Sequence, residues 1–118
     1  MQRLKNFKLK EFNCPCCNAN NMQTDTLLRL QEARTISKTP YKINSGTRCA
    51  KRNAEVGGKE NSSHLKGYAI DIHCTESRKR ALILGGLIEA GFARIGIAKT
   101  FIHVDNDPDK TYGVVWVY

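Results

Sequence analysis

The sequence of 118 residues has no apolar run approaching the about 20 residues that a membrane-spanning helix needs. It has no internal repeat, low-complexity tract or linker-like stretch, so we expect a single domain over residues 1–118. The start, residues 1–6, is basic, but no signal-type apolar stretch follows it, so we expect either no export signal or one that lies outside this sequence. With 41% hydrophobic and 25% charged residues, the chain has the composition of an ordinary globular protein with one core.

Acidic residues are scarce: 11 Asp and Glu oppose 19 Lys and Arg, which gives a net charge of +8. This excess favours a polyanionic partner, namely nucleic acid, an anionic membrane or an anionic cell wall, with a merely solvated surface as the alternative. The basic residues are spread along the chain, and the only tight run, residues 78–80, falls on a predicted helix. A recognition-helix signature and an aromatic stacking platform are both missing, which argues against a specific nucleic-acid partner.

Cysteine is present in an odd number, five, so the thiols cannot all pair within one chain. Cys14, Cys16 and Cys17 form the only cluster, and no second Cys or His pair follows to mark a zinc knuckle. Cys49 or Cys74 could complete a metal site or a disulfide if the fold brought one of them close. Reduced thiols are the remaining alternative.

The pattern of apolar residues and turn residues predicts an α+β fold with a small, mostly antiparallel sheet. Helices are expected over residues 24–36, with Thr24 as N-cap, over 49–56 and over 76–90, and strands over 41–45, 67–74, 92–98, 101–106 and 113–117. The first helix must end before Thr39, since the residue ahead of Pro40 avoids the α region. Gly85 and Gly86 each cost the third helix roughly 1 kcal/mol relative to alanine, so we expect close packing on the sheet to compensate.

Strand alternation predicts that Asp71, His103 and Asp105 share one sheet face, because the isoleucines and valine beside them point to the other. His64 lies in a loop that can fold back toward that face. A single histidine is more often hydrogen-bonded than metal-ligating, but two imidazoles and a carboxylate make a three-ligand set for zinc. Such a set leaves one position open, as in catalytic zinc sites.

A longer series of motifs contains these residues. It consists of Ser45-Gly46-Thr47-Arg48-Cys49, Asn53, Val56-Gly57-Gly58, Ser62-x-His64-x-x-Gly67-x-Ala69-x-Asp71, His103-Val104-Asp105 and Trp116. In this order, over about residues 7–116, the series resembles the M15 family of zinc peptidases, and most closely its short, single-domain members of the subfamily A type. The resemblance implies a Hedgehog/DD-peptidase-like fold with the helices packed on one face of the sheet.

The M15 family contains D-Ala-D-Ala carboxypeptidases, D-Ala-D-Ala dipeptidases and phage endolysins. The resemblance therefore implies a monomeric, zinc-dependent metallopeptidase, with one catalytic Zn²⁺, that cuts stem peptides of peptidoglycan as a carboxypeptidase or as an L,D- or D,D-endopeptidase. The expected partners are this peptide and the anionic cell wall. The expected location is the cytoplasm until release to the wall, as for a phage lysin, or the virion.

Carried over position by position, the resemblance implies that His64, Asp71 and His103 are the zinc ligands. Arg48 matches an arginine expected at the substrate's carboxylate, which a guanidinium fork suits; the alternative is a structural ion pair. Ser62 matches a serine that hydrogen-bonds substrate, with loop capping as the alternative.

One departure from the family concerns the general base. Many members carry Glu or Asp three residues before the last histidine, and this chain has Thr100 there. Asp105 is the predicted substitute as a catalytic residue, together with Arg48, although Asp105 could instead orient a histidine ligand. Asp107 and Asp109 flank Pro108 and are interpreted as turn residues.

Two other functions compete with hydrolysis. The missing acid allows a non-hydrolytic, zinc-containing module that binds cell-wall peptide. A basic nucleic-acid-binding domain built on the cluster at residues 14–17 is the alternative from another class.

Overall fold

A computed structural model describes residues 4–118 and shows an α+β architecture, as predicted. The basic start of the chain, residues 1–3, lies outside the described residues. The helices are α1 (Thr24–Ser37), α2 (Ala50–Glu55) and α3 (Ser77–Glu89), and two 3₁₀ turns cover Leu9–Phe12 and Ser63–Lys66. The strands are β1 (Lys42–Ser45), β2 (Ala69–His73), β3 (Arg94–Ile97), β4 (Phe101–Asp105) and β5 (Val114–Val117).

Every predicted helix and strand is present, with ends that differ by at most two residues from the sequence patterns. Helix α1 begins at Thr24 with Gln23 as its N-cap, so Thr24 is the first helical residue and not the cap. It ends at Ser37, and its C-cap, Lys38, adopts the left-handed conformation at φ 55° immediately before the Thr39-Pro40 pair.

The five strands form one sheet in the order β1-β2-β4-β3-β5. All neighbouring pairs are antiparallel except β3 and β5, which run parallel. The prediction of a largely antiparallel sheet is therefore confirmed. The central pair, β2 and β4, places Asp71 opposite His103 and Ala69 opposite Asp105.

One face of this sheet packs against the hydrophobic core. Ile70 and Ile72 of β2 and Ile102 and Val104 of β4 are completely buried and belong to one core with residues of α1 and α3, which also contact each other. The helices thus cover one face, as expected, and the other face is left for polar side chains. The buried residues of this core include Leu27, Leu30 and Ala33 of α1, Ile83 and Leu87 of α3, and Ile70, Ile72, Ile95, Ile102 and Val104 of the sheet.

No helix in the described range, residues 4–118, combines the length and the apolar character that crossing a membrane would require.

The two adjacent glycines of α3 have different surroundings. A Cβ built at Gly86 would clash with Ser37 Oγ and lie 2.6 Å from the Ala33 carbonyl oxygen, so α3 touches α1 at this residue. A Cβ at Gly85 would meet nothing within 4 Å. The expected close packing is thus found at Gly86 only, and its partner is a helix and not the sheet.

We expect Gly85→Ala to stabilise the protein by up to about 1 kcal/mol, because alanine is the better helix former and has room. Gly86→Ala should destabilise it by about 1–3 kcal/mol, because the methyl group overpacks the α1–α3 contact. Urea unfolding at equal m-value measures both changes. Equal effects of the two substitutions would contradict the assigned contact.

Candidate metal centre

A short, capped turn holds His64 in place. It lies in the 3₁₀ turn Ser63–Lys66, where Ser62 Oγ accepts a hydrogen bond from the His64 backbone N–H at 3.2 Å. The ring is 2% exposed, and its Nδ1 lies 2.8 Å from the Gly46 carbonyl oxygen. A carbonyl only accepts, so Nδ1 carries the proton and, in the neutral ring, Nε2 presents a lone pair.

Asp71 and His103 face each other across the β2–β4 ladder. Asp71 Oδ1 lies 2.9 Å from His103 Nδ1 and 3.3 Å from His64 Nε2. Strand alternation predicted this shared face correctly, since the intervening residues are the buried apolar ones. The contact with His64 depends on how its loop folds, which alternation does not determine.

These three side chains meet the geometric requirement of a zinc site. One ligand atom from each lies within 4.8 Å of the others. Ligand distances of about 2.0–2.2 Å place neighbouring ligands of a tetrahedral zinc roughly 3.3–3.5 Å apart, which is close to the observed separations. His64 Nε2 is buried and, within residues 4–118, has no hydrogen-bond partner. A buried lone pair directed at a carboxylate fits a bound cation.

Asp105 is completely engaged by its neighbours. Its Oδ2 lies 2.8 Å from His103 Nε2, its Oδ1 accepts from Arg94 Nε at 2.8 Å and from the Asp107 backbone N–H at 3.2 Å, and its side chain is 1% exposed. If His103 Nε2–H donates to Asp105, Nδ1 is left as the ligand atom beside Asp71. This geometry favours the orienting role over that of a general base.

The carboxylates and imidazoles of the site shift one another's pKa values. Burial raises the pKa of Asp71, but the hydrogen bond with His103 and the nearby His64 ring outweigh this effect and hold the pKa well below its ordinary value. Burial also raises the pKa of Asp105, and the hydrogen bond from His103 with its other partners lowers it overall. Burial lowers the pKa of His103, but Asp105 and Asp71 raise it above its ordinary value of 6.5.

Arg48 donates to three side chains: Nη2 to Asp71 Oδ2 at 3.1 Å, Nε to Ser45 Oγ at 3.2 Å and Nη1 to Asn53 Oδ1 at 3.3 Å. The ion pair with Asp71 is the structural alternative that the sequence left open. Arg48 also lines the cavity described next, so a substrate role is compatible with the same position. Ser62 likewise caps the His64 turn and lines this cavity.

A cavity of about 500 Å³ opens over the three candidate ligands. Aromatic rings form one wall: Trp116 lies 5.6 Å from the His103 ring, and Tyr118 packs 5.2 Å from Phe101. A Cβ at Gly96 would lie 2.5 Å from Trp116 Nε1, so the glycine makes room for the indole on the sheet. The cationic lining residues are Arg48, Lys59, Arg94 and Lys110, and the anionic ones are Asp71 and Asp105.

Thr100 stands away from this cavity. It is exposed in the turn between β3 and β4, and its carbonyl oxygen accepts a hydrogen bond from the Cys74 backbone N–H. Among the residues that the structure describes, Asp71 and Asp105 are the only carboxylates that line the cavity.

Two further residues support the site and were not identified from the sequence. Asp107 was interpreted as a turn residue, yet its side chain is fully buried, accepts from Ser63 Oγ at 2.8 Å and pairs with Lys66 at 2.7 Å. It thus ties the His64 turn to the end of β4. Arg94, on β3, neutralises Asp105 and lies 5.2 Å from the Trp116 ring centroid. Arg94 lies within a predicted strand, and no motif in the sequence marked it as a partner of Asp105.

Comparison with known protein families gives a match over most of the chain. The family described as Peptidase M15 matches residues 5–105 of this chain. This range includes all three candidate ligands and ends at Asp105. No curated protein matches the chain significantly.

Zinc binding should depend on pH through His103. In the metal-free protein the raised pKa means that the protonated ring stabilises the fold below pH 6.5, and this contribution is lost as the pH rises through the raised value. Zinc must displace the same proton, so its affinity should increase with pH across that window. Competition with a chelator at several pH values measures it. An affinity that falls as the pH rises through this window would exclude His103 as a ligand.

Proposed function

Since the chain belongs to the Peptidase M15 family, which is zinc-dependent in general, we propose that it is a zinc metallopeptidase that hydrolyses peptide bonds in peptidoglycan stem peptides. Its cut would be that of a D-Ala-D-Ala carboxypeptidase or of an L,D- or D,D-endopeptidase, as in a phage endolysin. The observation that carries the proposal is the convergence of His64, Asp71 and His103 beneath an open cavity.

His64 Nε2, one Asp71 oxygen and His103 Nδ1 would hold the ion. When bound in such a three-ligand site, zinc supplies a Lewis acid and lowers the pKa of a water molecule to about 7. The chain's own task is to keep the ligands in place. The Gly46 carbonyl orients His64, and Asp105 orients His103, so Asp105 acts as a positioning residue in this proposal.

Arg48 would bind the carboxylate of the substrate. A guanidinium group has five N–H donors, and three of them contact Asp71, Ser45 and Asn53 within the described part of the chain. The other two, one on each terminal nitrogen, are available to a planar anion at the cavity. Lys59 and Lys110 line the same cavity and add positive charge.

The rest of the cavity suits an extended peptide with small side chains. Trp116 offers an apolar ring face beside His103, and Tyr118, which packs against Phe101 and Trp116, lines the same cavity. The net charge of +8 would draw the protein to an anionic cell wall, and this attraction weakens as salt increases.

A second candidate function is a zinc-containing module that binds cell-wall peptide without cutting it. The observation in its favour is the lack, within residues 4–118, of a cavity-lining carboxylate that is free to accept a proton. Asp71 faces both histidines, and Asp105 is engaged by His103 and Arg94.

We expect purified sacculi incubated with the zinc-loaded protein to release peptide fragments or D-alanine, identified by mass spectrometry. His103→Ala should abolish release because it removes a ligand, whereas His73→Ala should not, because His73 is exposed and lies outside the cavity. Binding of the sacculi without release would support the non-hydrolytic module. Release that persists in His103→Ala would refute the zinc assignment.

Asp105→Asn separates orientation from proton transfer. An amide oxygen still accepts from His103 Nε2–H, so a positioning role predicts a loss of about 10–100-fold in kcat/KM, with weaker zinc binding. A general base predicts a loss toward about 10⁴-fold, with unchanged zinc affinity and loss of the acidic limb of the pH profile. Measured kcat/KM, zinc affinity and the pH profile decide between the two roles.

A further inference from the structure

We propose that Cys14, Cys16, Cys17 and Cys49 form a second, structural metal site that binds one zinc ion. The site lies outside the cavity and uses none of its lining residues. Four protein thiolates fill all positions of a tetrahedral zinc, so this ion would have a structural role and no position for substrate.

The sulfur atoms are already close to the required arrangement. All four lie within 4.8 Å of one another, with Cys14 Sγ 3.7 Å from Cys16 Sγ and Cys16 Sγ 3.1 Å from Cys49 Sγ. A Zn–S distance of about 2.3 Å places neighbouring sulfurs in a tetrahedron roughly 3.8 Å apart. A single ion would therefore need only small shifts of these side chains.

The loop that carries Cys14, Cys16 and Cys17 has the ligand spacing and the closed backbone of a metal-binding loop. Cys14 and Cys17 are separated by two residues, a spacing common among zinc ligands, although Cys16 between them hides it in the sequence. The loop is closed by hydrogen bonds from the Asn18 N–H to the Cys14 carbonyl and from the Cys14 N–H to the Ala19 carbonyl, both at 2.8 Å, and Asn18 adopts φ 60°.

Backbone amides also point at the sulfurs. The Cys49 N–H donates to Cys14 Sγ at 3.5 Å, and the Arg52 N–H donates to Cys49 Sγ at 3.4 Å. Such donors stabilise negative charge on sulfur and are found around metal-bound thiolates. On binding, each thiol would release its proton to solvent.

Packing alone does not explain this convergence. Cys16 and Cys17 are exposed, so they contribute little to the apolar core, and all five cysteines of the chain are free thiols. Cys74, by contrast, is buried in the core at the end of β2 and stands apart from the cluster.

The metal would connect the N-terminal loop to the segment that supports the catalytic candidates. Cys49 directly follows Arg48, which pairs with Asp71. In the same segment, the Thr47 N–H donates to the Phe12 carbonyl at 2.8 Å, and a Cβ at Gly46 would lie 2.8 Å from that oxygen. The ion would thus hold in place the backbone that orients His64 and Arg48.

The test is metal content together with cobalt spectroscopy on the full chain purified under reducing conditions. We expect about two zinc ions in the wild type, about one in His103→Ala and about one in Cys16→Ser, an exposed position that tolerates serine. Cobalt(II) replacing the zinc should show sulfur-to-metal charge-transfer absorption in the wild type and in His103→Ala. Cys17→Ser is a second exposed variant and should weaken this absorption as Cys16→Ser does.

Cys74→Ala is the matched control and should keep the absorption, because Cys74 lies outside the cluster. The proposal is overturned if the exposed thiols of Cys16 and Cys17 react freely with a thiol reagent in the folded, zinc-saturated wild type, or if a Cys16–Cys49 disulfide persists under the reducing conditions in place of metal. Failure of the proposed peptidase site would give a different result. The wild type would then bind only one zinc ion, His103→Ala would bind as much zinc as the wild type, and both would keep the cobalt–sulfur absorption.

Discussion

The pairing of Asp71 with His103 across β2 and β4 is the constraint on which the site depends. A strand slip of one residue would send both side chains into the core and bring isoleucines to the cavity. The register is secured by burial, since the opposite face of the same strands is completely covered by α1 and α3. The hydrophobic core therefore determines where the polar chemistry lies, although it contributes no atom to it.

The second constraint is electrostatic. Asp71 and Asp105 lie on either side of the His103 ring, and an isolated buried carboxylate would cost several kcal/mol. Arg48 pairs with Asp71 and Arg94 with Asp105, so each carboxylate has a cationic partner on its far side. His64 remains the exception, with a buried nitrogen that lacks a partner within residues 4–118. A divalent cation beside Asp71 would satisfy that nitrogen and replace the proton of His103.

The sequence alone was sufficient for what depends on local periodicity. Alternation along two strands placed Asp71, His103 and Asp105 on one face, and the position of Pro40 located the end of the first helix. It was insufficient for contacts made at long range. That Arg94 neutralises Asp105 follows from the pairing of β3 with β4, which no single strand pattern encodes. Asp107 looked like a turn residue because the Pro-Asp turn is real, while its burial against Ser63 and Lys66 arises from a segment about forty residues away.

Residues 46–49 link the two candidate metal centres through four consecutive positions. The Gly46 carbonyl orients His64, Thr47 binds the N-terminal loop through Phe12 and Asn21, Arg48 pairs with Asp71, and Cys49 completes the thiol cluster. This segment connects β1 to the short α2, so little regular structure holds it. Atoms that orient metal ligands must be held within a fraction of an ångström. A tetrahedral ion at one end of such a segment supplies this rigidity where the hydrophobic core does not reach.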